Sequence, residues 1–136
     1  MKNDQLAQDY FSRCQKRLKA LDTLYTEAAW ADVVREAQEI VELGLKALLR
    51  SMRVEVPRIH DVSQVLKEKI KTIPTLVKPH VEELCRISHK MRRDRELAFY
   101  GSEDLTPSSF YTEDDAKVAR QEAGFVVQKL APVFAE

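Results

Sequence analysis

Glycine, proline and cysteine are all scarce in this chain, whose 136 residues include 3 Gly, 5 Pro and 2 Cys. Glycine and proline interrupt helices, so long stretches without either favour long helices. The two cysteines stand alone: neither Cys14 nor Cys85 belongs to a C-x-x-C pair or lies near a histidine at metal-ligand spacing. Because the start of the chain is polar and lacks the apolar core of a secretion signal, we expect a cytoplasmic protein with reduced thiols.

An excess of charge and a long apolar run are also missing. Lys plus Arg and Asp plus Glu both number 22, so zero net charge gives no support for nonspecific nucleic-acid binding, although a local basic patch is compatible with it. No apolar run approaches the roughly 20 residues that span a bilayer, so no membrane association is expected. Gly-rich phosphate loops, H-E-x-x-H and G-x-S-x-G are absent from the sequence. His80 and His89 have only carboxylates such as Glu83 near them as further ligands, so neither a metal nor a cofactor is predicted.

Apolar residues recur at steps of three and four in five segments, and no sustained alternation of period two occurs. We therefore predict five helices over about residues 3–24, 27–52, 61–70, 79–99 and 112–133. With 44% hydrophobic and 32% charged residues, helices of this chain have one apolar and one charged face. The predicted fold is all-α, an antiparallel up-and-down helical bundle of four long helices and one short helix, in a single domain over residues 1–136.

Individual residues predict where the second helix begins and ends and where the fifth helix begins. Thr26 is a suitable N-cap for the second helix, and Pro57 is expected to end it because a residue before proline avoids the α region. Gly44, in the middle of that helix, is predicted to let a neighbouring helix approach closely. Thr112 and Asp115 resemble a capping box at the start of the fifth helix.

Gln38, Glu42 and Lys46 are spaced four residues apart, which stacks them along one side of the second helix. Glu42 precedes Lys46, the better orientation for an ion pair, and an exposed pair of this kind contributes only about 0.2–0.5 kcal/mol. At the edge of the apolar stripe the same charges would line a polar groove. His60 precedes the third helix and is either exposed beside a helix cap at Asp61 or held near Glu42 or Lys46. These four polar side chains form a candidate supporting cluster.

Three arginines, which we call the arginine cluster (Arg92, Arg93 and Arg95), precede Phe99 and Tyr100 at the end of the fourth helix. Cations at a helix C-terminus complement the macrodipole, which suffices to explain at least one of them. Guanidinium groups also bind phosphate in bidentate fashion, and an adjacent aromatic ring can stack on a base. The arginine cluster and Tyr100 are therefore candidates for binding phosphate or nucleotide. Residues 100–111 read as a loop, and long ordered loops are often functional.

Several segments, taken in order, resemble those of one known protein family. They are residues 30–39, 41–42 and 45–49, the turn with Pro57 and His60-Asp61, and residues 95–101 and 111–116. Their order and spacing make about residues 18–133 similar to the HEPN family, in its prokaryotic type associated with minimal nucleotidyltransferases. The resemblance implies a bundle of four or five helices, usually a homodimer. It also implies action beside a nucleotidyltransferase partner, in many members as a toxin–antitoxin pair.

Active members of that family are metal-independent endoribonucleases with an Arg followed four to six residues later by a His. In that chemistry the His acts as acid or base for attack of a ribose 2′-OH, and the Arg holds the phosphate. No His follows the arginine cluster at this spacing, and His89 precedes it. A tyrosine side chain ordinarily ionises near pH 10, so Tyr100 is a poor replacement for an imidazole at neutral pH.

The missing His favours a non-catalytic binding module that holds nucleotide or RNA phosphate and works with a nucleotidyltransferase-type partner. One alternative is a metal-independent endoribonuclease toxin in which His60 or His89 reaches the arginine cluster. Another is a purely structural partner without a ligand. Four aromatic residues exceed what a core of this size requires, so they either form a dimer interface or close the ends of the bundle: Trp30, Phe99, Tyr100 and Phe110.

Overall fold

The computed structural model of the chain describes residues 2–56, 62–100 and 106–135, with side chains described for residues 4–56, 62–92 and 106–135. The described backbone forms α-helices and two short 3-10 turns, and no strand occurs within these ranges. The α-helices are α1 (Lys2–Thr26), α2 (Trp30–Ser51), α3 (Ser63–Glu68), α4 (Val81–Tyr100), α5 (Pro107–Phe110) and α6 (Glu113–Phe134). The 3-10 turns are Ile70–Thr72 and Lys78–His80. The predicted all-α fold with four long helices is confirmed.

Helix α2 lies at the centre of the fold and packs against α1, α4 and α6. The periodicity predicts an apolar stripe from Trp30 to Leu49, and Trp30 is only half-buried. The rest of the stripe is confirmed as buried: Val33, Val34, Ala37, Val41, Leu45, Leu48 and Leu49. Burial of each large aliphatic side chain contributes roughly 1.5–3 kcal/mol relative to leaving it exposed. The apolar residues of α2, spaced three and four apart, therefore form the surface against which the other long helices pack.

Gly44 lies where α2 meets both α1 and α6. A Cβ atom at this position would lie 3.3 Å from Leu130 Cδ1 of α6 and 3.6 Å from Cys14 Sγ of α1. The predicted close approach at Gly44 is thus confirmed. Cys14 is fully buried there, and its Sγ lies 3.5 Å from the carbonyl oxygen of Ile40. Burial raises the pKa of the Cys14 thiol to about 12, against the smaller opposing effects of two nearby arginines.

The junction between α1 and α2 differs from the sequence prediction. Thr26 is the last residue of α1, and its hydroxyl donates to the carbonyl oxygen of Asp22 at 3.0 Å. The N-cap of α2 is Ala29, which provides no side-chain cap. Helix α1 ends because Ala28 takes the left-handed conformation (φ 58°) and the Ala29 amide donates to the Leu24 carbonyl at 3.0 Å. This is a Schellman motif, so the prediction of Thr26 as the cap of α2 was wrong.

The C-terminus of α2 is formed in the same way. The helix ends at Ser51, Arg53 has a φ of 60°, and the Val54 amide donates to the Leu49 carbonyl at 3.0 Å. The predicted end near residue 52 is confirmed. Its cause is the left-handed residue at 53, however, because the helix stops well before Pro57.

Shorter elements complete the connections. The third predicted helix is only Ser63–Glu68, followed by the 3-10 turn Ile70–Thr72, and the 3-10 turn Lys78–His80 precedes α4. The predicted loop before α6 contains α5, where Thr106 accepts a hydrogen bond from the Ser109 amide at 3.2 Å. The predicted capping box of α6 is confirmed. Thr112 Oγ1 accepts from the Asp115 amide at 3.2 Å, and Asp115 Oδ2 accepts from the Thr112 amide at 2.9 Å.

Candidate functional site

Helix α4 has a buried inner face and an exposed basic face. The residues of its inner face are all buried: Val81, Leu84, Cys85, Ile87, Ser88 and Met91. On the outer side, Arg86, His89 and Arg92 are exposed. Arg92, the first residue of the arginine cluster, directly follows the buried Met91 and is exposed.

A buried carboxylate of α6 joins the basic face of α4 to the core. Glu122 is 8% exposed, and its two oxygens accept separate hydrogen bonds, from Arg86 Nη2 at 2.8 Å and from Lys90 Nζ at 2.9 Å. Arg86 also donates from Nε to Glu83 at 2.6 Å. Hydrogen bonds to Glu83 and then to Glu122 raise the pKa of the Arg86 guanidinium above its usual range. Arg86 and Lys90 therefore have their charge matched within the fold.

Beside Glu122 lies a cavity that we call the α4–α6 cleft. It has a volume of about 140 Å³, and side chains of α2, α4 and α6 form its walls together with Tyr111. Gln38 of α2, Met91 and Lys90 of α4, and Glu122 of α6 all contribute. Gln38 is 5% exposed, and within the described part of the chain neither its Nε2 nor its Oε1 has a hydrogen-bond partner. A buried polar group of this kind normally has a partner, so its surroundings need an explanation.

A second cavity, the α1–α2 groove, has a volume of about 200 Å³. Tyr10, Arg13 and Arg17 of α1 line it opposite Glu42 and Lys46 of α2. Lys46 Nζ donates to Glu42 Oε1 at 2.8 Å, so the predicted ion pair is present. Three cations and two carboxylates line this groove, and two of the cations are paired, Arg17 with Glu36 at 3.1 Å and Lys46 with Glu42.

The structure separates Gln38 from Glu42 and Lys46, which the sequence had grouped in one cluster. Gln38 lines the α4–α6 cleft, whereas Glu42 and Lys46 line the α1–α2 groove. The reason is helix geometry: each step of four residues advances about 40° around an α-helix, so two steps turn about 80°. A row of three such residues on a central helix therefore faces different neighbours at its two ends.

Several candidate side chains lie outside the described residues. His60 belongs to the undescribed stretch 57–61, and the backbone of α4 continues through Arg93, Arg95 and Tyr100 although their side chains are not described. Of the arginine cluster, only Arg92 has a described side chain, and it is exposed.

Comparison with protein families gives one clear result: the family model for the HEPN domain matches residues 7–132. The chain belongs to the HEPN family. Neither the comparison with curated proteins nor that with solved structures gives a match. The matched range contains α2, α4 and nearly all of α6, so the cleft, the groove and Arg92 are all parts of the HEPN domain.

Two further properties of the HEPN domain bear on its chemistry. None of its described helices is long and apolar enough to cross a membrane. Within the described ranges, no three His, Cys, Asp or Glu side chains converge as a metal site would require.

Sequence reasoning missed Glu122, although a signal was present. Glu122 lies within the buried stripe of α6, three residues after Ala119 and directly before Ala123. A carboxylate on an apolar helix face needs a cationic partner, because a buried charge is rarely left unpaired. That rule identifies Glu122 as paired, and the structure supplies Arg86 and Lys90.

Proposed function

We propose that this HEPN domain is a non-catalytic binding module that holds the phosphate of a nucleotide or RNA at the end of α4. The groups that bind it are the arginine cluster, with Tyr100 stacking on the base. The module works as a homodimer with a nucleotidyltransferase-type partner, the arrangement that the prokaryotic type of the family implies.

The observation that carries the proposal is the exposure of Arg92 on the outer side of α4, directly after the buried Met91. The preceding cations, Arg86 and Lys90, are engaged by Glu122. Arg92 follows them on the exposed side of α4 and begins the arginine cluster. Bidentate binding to a guanidinium suits a phosphate group there.

The absence of a His four to six residues after any arginine of the cluster supports a binding role over catalysis. Without an imidazole at that position, the proton transfer needed for attack of the 2′-OH has no group with a pKa near neutrality. Loss of the acid or base leaves the phosphate-binding half of the site in place.

Binding of fluorescent single-stranded RNA and of ATP to the purified full-length protein tests the proposal. We expect Arg92→Ala, Arg93→Ala and Arg95→Ala each to weaken binding. The slope of log K against log salt should become shallower by about 0.7 for each RNA phosphate that a variant no longer binds. Arg120→Ala is the matched control, because Arg120 pairs with Asp22 at 2.8 Å away from α4. Unchanged affinity in all three cluster variants, or an equal loss in Arg120→Ala, would contradict the proposal.

The partner is tested separately, by co-expression with a nucleotidyltransferase encoded beside the gene and by light scattering of the purified complex. A defined stoichiometric complex, built on a dimer of this chain, is the expected result. A monomer that does not associate would remove this part of the proposal and leave the phosphate site untouched.

A metal-independent endoribonuclease toxin is the second candidate, and the position of His89 favours it. His89 is exposed on α4 three residues before Arg92, so the two lie on the same side of the helix. RNA cleavage in the presence of a chelator, lost in His89→Ala or His60→Ala, would support this candidate. Cleavage that persists in both variants would exclude it.

A further inference from the structure

Helix α3 and the start of α4 form a third cavity, the α3–α4 groove, which shares no residue with the α4–α6 cleft or the α1–α2 groove. Its volume is about 410 Å³, within the range of roughly 300–1,000 Å³ that is typical of binding sites. Lys67 and Ile70 line it together with Pro79, Val81 and Cys85. Helix α3 packs against α4, and Cys85 Sγ lies 3.6 Å from the carbonyl oxygen of the first residue of α3. The groove is therefore formed between two elements that the fold already holds together.

Apolar surface of this groove faces solvent. Val81 and Cys85 are buried at its base, whereas Ile70 is 39% exposed and Pro79 is also exposed. Leu76 is 66% exposed, the highest value among the large apolar side chains described, and it lies two residues before the groove residue Lys78. Single exposed apolar residues are common on protein surfaces, but an apolar groove with exposed edges is typical of a surface that contacts another molecule.

Positive charge without a matching carboxylate surrounds the groove. Four exposed lysines lie between residues 67 and 78, and none of them forms an ion pair with a described residue: Lys67, Lys69, Lys71 and Lys78. Elsewhere in the domain cations are paired, as Lys90 is with Glu122 at 2.9 Å. The carboxylates in this region are Glu68 and Glu82, so the lysines outnumber them by four to two. In a chain of zero net charge this local excess favours a ligand that carries negative charge.

The residue types in the groove favour a protein segment over a nucleic acid. Neither an aromatic ring nor an arginine is among the described side chains that line it, so it offers no group that stacks on a base. Ile70 and Pro79 instead provide aliphatic surface that matches leucine, isoleucine or valine side chains of a partner. The methylene stems of Lys67 and Lys78 extend this apolar surface, while their ammonium groups can reach carboxylates at its edge. A recessed groove of this kind accommodates protruding side chains, which a flat lipid surface does not supply.

We infer that the α3–α4 groove is a docking site for an acidic segment of a partner protein that also carries aliphatic side chains. The aliphatic side chains of the segment contact Ile70 and Pro79, and its carboxylates pair with Lys67 and Lys78. This inference goes beyond the proposed function and does not depend on it. The groove adjoins the first turn of α4, roughly 16 Å along the helix axis from Arg92, so the two sites are defined by different residues.

Selection from a random peptide library displayed on phage, with the full-length protein as the target, tests the inference. We expect the enriched peptides to contain more Asp and Glu, and more Leu, Ile and Val, than the starting library. Titration of an enriched peptide into protein with ¹³C-labelled isoleucine methyl groups should shift the signals of Ile70. The signals of Ile40, which is fully buried in the core, should stay in place. No enrichment, or enrichment of peptides without acidic residues, would overturn the inference.

Matched variants test the apolar and the charged contacts separately. Ile70→Ser removes exposed aliphatic surface and should weaken binding of an enriched peptide roughly 10-fold, whereas Leu6→Ser, at a side chain that is 36% exposed on α1, should not. Lys67→Glu and Lys78→Glu should each weaken binding several-fold and reduce its dependence on salt. Lys117→Glu changes the net charge equally at an exposed position of α6 and should leave the affinity unchanged. Equal effects of the groove variants and of their controls would contradict the docking site.

Two competitors distinguish this docking site from other binding surfaces. Vesicles of equal parts phosphatidylglycerol and phosphatidylcholine should not displace the peptide; displacement that is lost in Ile70→Ser would identify a membrane contact and overturn the inference. Single-stranded RNA should also leave peptide binding unchanged, and Arg92→Ala should weaken the binding of RNA alone. If RNA does not bind while the peptide still shifts the Ile70 signals, the proposed function fails and the docking site stands. RNA that displaces the peptide, and does so less well in Lys67→Glu, would show that the groove binds nucleic acid and that the docking site is wrong.

Discussion

Two glycines inside helices allow the packing around α2 to be tested with one substitution in two environments. Gly44 lies in α2, and a Cβ there would be 3.3 Å from Leu130 Cδ1 and 3.6 Å from both Cys14 Sγ and Val126 Cγ1. Gly124 lies in α6, and a Cβ there meets nothing within 4 Å. The two Gly→Ala variants therefore share the same gain in helix propensity and differ in crowding.

The expected free energies of unfolding follow from these distances. Replacing a helical glycine with alanine gains about 0.5–1 kcal/mol, and Gly124→Ala should keep all of it. At Gly44 the three neighbouring side chains are fully buried and cannot move into solvent. Overpacking of a filled core costs about 1–3 kcal/mol, so Gly44→Ala should be about neutral or destabilising by up to about 2 kcal/mol. We expect the two variants to differ by about 1–3 kcal/mol.

Urea unfolding followed by circular dichroism measures both variants, and an unchanged m-value shows that the comparison is valid. Leu130→Val in the Gly44→Ala background withdraws the atom that lies at 3.3 Å. The double variant should then be more stable than the sum of the two single effects. An equal gain in Gly44→Ala and Gly124→Ala, or strict additivity with Leu130→Val, would refute the close approach of α6 to α2.

Three further expectations concern single positions. The Cys14 thiol has a pKa of about 12 in the fold against an ordinary value of 9.0, so burial of the neutral thiol contributes fully to the free energy of unfolding below pH 9. This contribution should decline toward pH 12, by up to about 4 kcal/mol. Urea unfolding at several pH values should show that Cys14→Ala removes the decline, and an identical decline in both proteins would contradict the cause. Thr112→Ala should lower the free energy of unfolding by about 1 kcal/mol, whereas Thr112→Ser, which keeps the capping oxygen, should not. Ala28→Gly should raise the thermal midpoint by removing left-handed strain of about 1 kcal/mol, while Ala20→Gly in the exposed interior of α1 should lower it.

The long helices could be predicted from the sequence because burial imposes a periodicity that the sequence displays directly. The inner face of α4 is buried throughout, and the stripe of α2 is buried except at Trp30, which is half-buried. The Thr112–Asp115 capping box could also be predicted from the sequence, because its two hydrogen bonds join residues three apart in the chain. Where a structural feature depends on residues within one or two helical turns, the sequence was sufficient.

The helix ends at Ala28 and Arg53 could not be predicted in the same way. Both residues take positive φ values that glycine usually provides, and neither alanine nor arginine signals that conformation. The conformation is favoured there by the hydrogen bonds that close each Schellman motif and by packing of the following chain. Thr26 and Pro57 offered conventional signals nearby, and both misled the prediction of what begins or ends α2.

The candidate site shows a similar division between local and tertiary information. The arginine cluster was visible as a run near a helix end, and the Glu42–Lys46 pair followed from spacing on one helix. The position of Gln38 between α4 and α6 depended on how those helices pack on α2, which no spacing within α2 specifies. The same holds for Glu122, whose partners Arg86 and Lys90 are 36 and 32 residues away in the chain.

Gln38 is also a position where the sequence departs from what stability alone favours. A buried donor or acceptor without a partner costs about 1–3 kcal/mol, and replacing it with an apolar side chain of similar shape would be close to neutral or stabilising. Ala119, beside it, leaves space that a larger residue could fill. Natural proteins commonly break such packing rules at functional sites.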